Sequence, residues 1–120
     1  KTFEIDKPSL NVREWIGSSP KRYVASSQAL TLPKGYHLIL SISVDNILHQ
    51  LYEDGIQTLL VEGGADILQS FIDSGQWDEC YVEKGAMTLN GHVKAPVLSH
   101  AVLKAVNTDF GQKIEKYLKA

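Results

Sequence analysis

Apolar and polar residues alternate along this chain with two distinct periods. Val44, Ile47, Leu48, Leu51 and Tyr52 fall at helical spacing on one face and predict a helix over 43–54. Ser43 is placed to cap its start, and Gly55 to end it in a left-handed conformation. Ile67, Leu68, Phe71 and Ile72 mark a second helix over 65–74, closed by Gly75. Between them, 57–61 is a short continuous apolar run, as expected of a buried and parallel strand. Shorter β-rich stretches predict strands over 22–25, 37–42 and 80–83. The segments 102–107 and 113–118 flank Asp109 and Gly111 and read as a hairpin. Residues 1–20, rich in Asp, Pro, Ser, Asn and Gly, read as irregular. This order predicts an α/β fold: a mixed sheet flanked by helices, with an antiparallel hairpin at its C-terminal edge.

The length of 120 residues suits one domain. A 43% apolar and 22% charged composition is ordinary for a globular chain. The formal charge of −2 supplies no basic field, which argues against nucleic acid or an anionic membrane as partner. A phosphate-bearing ligand would have to be held by local donors. Cys80 is the single cysteine, so neither an internal disulfide nor a thiolate zinc site is available. That usage fits a reducing, cytoplasmic setting. His37, His49, His92 and His100 do not pair at metal-ligand spacing, and no metal is expected. Trp15 and Trp77 read as packing anchors, and Cys80 as a small buried hydrophobe. The chain begins at Lys1 with no preceding strand signal, which suggests a partial domain.

The stretch most informative about chemistry joins the apolar run to the second helix: Glu62, Gly63, Gly64, Ala65, Asp66. In open α/β sheets, ligands gather beyond the carboxyl ends of the strands. Gly63 and Gly64 lack Cβ atoms where a ligand could come close, and the helix beyond offers free N–H groups to a phosphate. A two-glycine turn serves equally well as a plain tight turn. Glu62 beside such a turn is electrostatically awkward for a phosphate unless the carboxylate serves another partner, such as a polar substrate group. In the irregular leader, Arg13 could clamp a phosphate and Asp6 could accept hydrogen bonds, although a surface Arg and an Asp-turn in a solvated loop are the simpler reading of these residues alone.

Thr2, Asp6, Pro8, Ser9, Leu10, Val12 and Arg13, together with Leu60-Val61-Glu62-Gly63-Gly64-Ala65, resemble the reductase domain of the bifunctional riboflavin-biosynthesis deaminase/reductase. Trp77-Asp78-Glu79 and Lys94-Ala95-Pro96-Val97-Leu98 extend the likeness in order. The resemblance implies a dihydrofolate-reductase-like fold, NADPH as cofactor, and reduction of 5-amino-6-(5-phosphoribosylamino)uracil to its ribitylamino product. It places Thr2 and Asp6 at NADPH, Asp6 near the nicotinamide, and Leu10, Arg13 and Glu62 at the substrate. Asp6 and Glu62 become the catalytic candidates. Gly63, Gly64, Ala65, Asp66, Ile67, Leu68, Gln69 and Ser70 fall at the cofactor phosphate site.

The family domain normally carries strands before the point where Lys1 falls, and another strand and loop near 40–43. The His-x-Glu and Pro-Cys-x-x-Cys pattern of the zinc deaminase half is absent from these residues, although a deaminase on the parent chain is expected from the resemblance. A pterin- or folate-type reductase of the same fold, and a non-catalytic ligand-binding or oligomerisation remnant, are the competing readings. Exposed sheet edges would favour a homo-oligomer.

Overall fold

The computed structural model describes residues 19–91, 93–109 and 111–120. Thr2, Asp6, Leu10, Arg13, Trp15 and His92 lie outside the described residues. The chain divides into two compact units, Lys1–Gly64 and Ala65–Ala120.

In the first unit, strands β1 (Arg22–Ala25) and β2 (Tyr36–Ile39) pair in parallel, from Arg22 opposite Tyr36 to Ala25 opposite Ile39. Helix α1 follows at Val44–Glu53. Val24, Ile39, Val44, Ile47 and Leu51 are buried, and Ile39 is the most enclosed at 2% exposure. The helical face anticipated from spacing is thus mostly buried, but Tyr52 is 77% exposed and belongs to solvent.

The strand expected over 37–42 stops at Ile39. The Ile39 carbonyl accepts from both Ser26 N–H and Ser41 N–H, so the backbone folds back on itself there. Leu40 and Ile42 are left exposed. Ser43 occupies the cap position of α1, but its side chain makes no capping bond. Ser41 instead braces the approach to the helix: its Oγ accepts from Ser43 N–H at 3.1 Å and from the Asn46 side-chain Nδ2 at 3.3 Å, and neither bond caps a first-turn backbone N–H. The far end closes as the sequence indicates. Gly55, at φ 78°, donates to the Tyr52 carbonyl while Ile56 N–H reaches the Leu51 carbonyl, both at 3.0 Å. That pair of bonds is a Schellman motif, and only glycine takes its left-handed position without penalty.

The run over 57–61 forms no strand. Leu60 is 78% and Leu59 39% exposed. Among the described residues no strand pairs with it, and an apolar run without a neighbouring ladder cannot become a buried strand.

The second unit opens with helix α2 (Ala65–Ser74), the span that apolar spacing predicts. Phe71 is its buried residue, with Ile67, Leu68 and Ile72 half-buried beside it. Gly75, at φ 69°, ends it. Strands β3 (Glu79–Lys84), β4 (Ala101–Asp109) and β5 (Gln112–Lys119) form an antiparallel sheet in the order β3-β5-β4. Each strand exceeds its expected span by a residue or more, because terminal polar residues still join the ladder, as Lys84 does opposite Lys113. Gly111, at φ 75°, makes the hairpin turn between β4 and β5. A bulge at Lys104 interrupts the β4–β5 register, so Leu103 faces Tyr117 while Ala105 faces Lys116. Parallel and antiparallel pairings therefore both occur, in separate sheets. Among the described residues no helix is long and apolar enough to cross a membrane.

Candidate active site

Glu62, Gly63 and Gly64 lead into α2 as the spacing indicates, but as irregular, extended backbone in place of the tight turn expected there. Glu62 and Gly63 are exposed, and Gly64 and Ala65 are half-buried, so solvent reaches the segment. Gly63 is extended at φ 159°. The first-turn N–H groups of α2, on Ala65, Asp66 and Ile67, are ones for which a helix supplies no internal acceptor. They suit an anion both by hydrogen bonding and by the helix dipole. Asp66, the acid of that first turn, opposes this with its own negative charge.

Further into α2 the polar side chains are already engaged. Ser70 Oγ donates to the Asp66 carbonyl at 2.9 Å. Gln69 spends its whole amide: Nε2 donates to Asp73 Oδ1 at 2.8 Å and to the Val97 carbonyl at 3.1 Å, while Oε1 accepts from Val97 N–H at 2.8 Å. Two donor bonds and one acceptor bond fix the orientation of the amide. Ile67 and Leu68 are half-buried apolar residues that can contribute backbone only.

The described residues hold no group of three or more His, Cys, Asp or Glu side chains placed to bind a metal ion. Cys80 is half-buried, and burial raises its thiol pKa, which leaves it a weak nucleophile. His49 pairs with Glu53 one helical turn on, at 3.6 Å, and His37 packs on Tyr23 with ring centroids 5.2 Å apart. An open hollow lined by Gly85, Ala86, Met87, Leu89, Gly111 and Gln112 offers apolar surface without an ionisable group.

One charged group stands outside the residues singled out from the sequence, Glu115 at the centre of β5. It is buried, at 5% exposure. Lys84 Nζ meets one of its oxygens at 2.9 Å and Lys113 Nζ the other at 3.4 Å, and Tyr117 OH donates at 3.1 Å. Hydrogen bonding to Lys84 is the main cause that holds the Glu115 carboxyl below the usual carboxylate range, and it outweighs burial. The signal was present as alternation: Lys113, Glu115 and Tyr117 share one face of β5.

Residues 1–99 match the family described as RibD C-terminal domain. No curated protein sequence matches the chain. Among solved structures, the chain is similar to a diaminohydroxyphosphoribosylaminopyrimidine deaminase/5-amino-6-(5-phosphoribosylamino)uracil reductase from Thermotoga maritima. The TM-score is 0.81 at 18% identity, over 98% of this chain and 43% of that one. It is also similar to a putative riboflavin biosynthesis protein from Shewanella sp. PV-4, with a TM-score of 0.70 at 19% identity, over 90% of this chain and 64% of that one. The chain therefore spans less than two thirds of either protein. With most of its length matched, the chain belongs to the RibD C-terminal domain family and carries the dihydrofolate-reductase-like fold of that reductase.

Proposed function

We propose that this chain is the NADPH- and substrate-binding part of a riboflavin-pathway reductase that converts 5-amino-6-(5-phosphoribosylamino)uracil to the ribitylamino product. The observation that carries the reading is the solvent-open Glu-Gly-Gly segment at the start of α2, in a chain matched to this family over residues 1–99. NADPH supplies a hydride. The chain's own residues bind and orient.

The N–H groups of Gly64, Ala65, Asp66 and Ile67 take the cofactor's phosphate. Glu62 accepts hydrogen bonds from the sugar or base, which explains a carboxylate beside an anion site. In the leader, Thr2 and Asp6 contact the cofactor, Asp6 near the nicotinamide, while Leu10 and Arg13 hold the substrate, Arg13 through its phosphate. Asp6 and Glu62 together orient the open-chain ribosylamine. The bound cofactor would supply the hydride for the sugar carbon, and the residues that orient the ribosylamine would hold the water that brings a proton to its heteroatom. We further assign the chain to a cytoplasmic homo-oligomer whose parent carries a deaminase domain, as the Thermotoga maritima protein's name describes for that protein.

A comparative oxidation assay tests this. The intact protein should consume NADPH with the phosphoribosylaminouracil and not with dihydrofolate. Turnover of dihydrofolate alone would move the assignment to a pterin-type reductase. Saturable NADPH binding with no turnover of either would leave a binding module.

A further inference from the structure

We propose that the antiparallel sheet of the second unit carries a carboxylate-binding site, formed by Lys84, Lys113 and Thr108 on the face that holds Glu115. Its ligand is a small organic acid with an apolar body. The site stands apart from the reductase reading and does not depend on it.

Sheet register places the groups. Lys84, Lys113 and Thr108 occupy one rung across β3, β5 and β4. Val82, Glu115 and Val106 occupy the neighbouring rung on that face. Residues opposite one another share a face, as do residues two apart along a strand. The outer rung is therefore a row of three donor side chains about 10 Å long, two strand spacings across. By the same alternation Glu79 and Glu83, the acids of β3, belong to the opposite face.

Charge balance names the ligand. Lysines directly opposite in a ladder repel. Glu115, at 5% exposure, draws both together: Lys84 Nζ meets its Oε1 at 2.9 Å and Lys113 Nζ its Oε2 at 3.4 Å. One carboxylate offsets one of the two charges, so the cluster keeps a net positive charge. Pinning the register needs only one lysine; the second shares the first one's partner and adds repulsion. Both lysine side chains are more than half exposed, at 57% and 51%. Each ammonium has three donors and gives one to Glu115. A second carboxylate on the solvent side takes charge-assisted bonds from both and restores neutrality. A phosphate dianion would overshoot it. Val106 and Leu103, 46% and 47% exposed, lie on the same face of β4 and offer apolar surface to the body of the acid. Few placed polar groups beside apolar surface is the usual composition of a small-molecule site.

The test titrates the intact protein with benzoate, its neutral analogue benzamide, acetate and inorganic phosphate at constant ionic strength, reading residue-resolved amide shifts. Benzoate should give saturable shifts centred on Lys84, Lys113, Val106 and Thr108. Benzamide should give none that saturate over the same range, and acetate and phosphate should bind several-fold more weakly. Lys113→Met leaves Glu115 paired with Lys84 and makes the cluster neutral. It should weaken benzoate roughly tenfold, as expected for a lost charge-assisted bond. Benzoate that fails to saturate, or saturates elsewhere, overturns the proposal. So does benzamide binding equal to benzoate, phosphate or acetate binding as tight, or a K113M variant with unchanged affinity. If K113M does not fold, the wild-type comparison of benzoate with benzamide decides: equal shifts overturn the site.

Discussion

Lys84 on β3 and Glu115 on β5 are not directly opposite in the ladder, yet their charged ends meet at 2.9 Å. Val82 is the residue opposite Glu115, and Lys84 is opposite Lys113, so the pair crosses a diagonal of the sheet. The diagonal fixes strand register: a slip of one residue would carry Glu115, together with Lys113 and Tyr117 on the same strand, to the face away from Lys84.

This cluster predicts how stability depends on pH. The Glu115 pKa is lowered, first by its hydrogen bond to Lys84 and further by Tyr117 and Lys113. Its contribution is therefore present above the ordinary carboxylate range and is lost as pH falls through the lowered folded-state value. The Lys84 pKa is raised, first by its hydrogen bond to Glu115. Its contribution is complete below the ordinary lysine range and is lost as pH rises through the raised value. Glu115→Gln should flatten both limbs of a urea-denaturation series run against pH, with the loss of stability greatest at neutral pH. Parallel pH profiles for the two proteins would contradict the pairing.

Gly35 illustrates a second constraint. Its φ is 92°, and a Cβ built there would lie 2.6 Å from an Arg22 guanidinium nitrogen. The Arg22 guanidinium itself stacks over the Tyr36 ring at 4.6 Å. Gly35→Ala should cost about 1–2 kcal/mol from the left-handed backbone alone, plus the displacement of Arg22. Chemical denaturation measures it; a change below a few tenths would show that the turn relaxes without penalty.

Lys119 reaches from the end of β5 to the Gly75 carbonyl at 2.8 Å, just past the C-terminus of α2. A cation there satisfies a terminal carbonyl and complements the helix dipole. Lys119→Met should lower stability by about 0.5–1 kcal/mol, and the loss should shrink at high salt. A salt-independent loss would indicate packing in its place.

The helices were legible because each carries its full signal locally. Residues 65–74 show four apolar positions at helical spacing and a glycine stop, and α2 forms over that span. The hairpin was legible for a similar reason, with Gly111 between two β-rich runs. The run over 57–61 has the apolar pattern of a strand and forms none, because a buried strand is a relationship with neighbours and its own residues encode only the apolar half of that requirement. Tyr52 shares the spacing of Leu51 but not its burial, since the edge of an apolar stripe can face solvent. At the site, the Glu-Gly-Gly segment could be read from adjacent residues. The Gln69–Val97 bond could not, because it joins positions 28 apart through side-chain-to-backbone geometry that leaves no periodic trace.

The most direct test of the central claim is residue-resolved amide perturbation in the intact protein on titration with NADPH. The account predicts saturable shifts that are largest at the amides of Gly64, Ala65, Asp66 and Ile67, and weaker shifts with NADH, which lacks the extra phosphate. Saturable binding that leaves these four amides unmoved while others shift would contradict it.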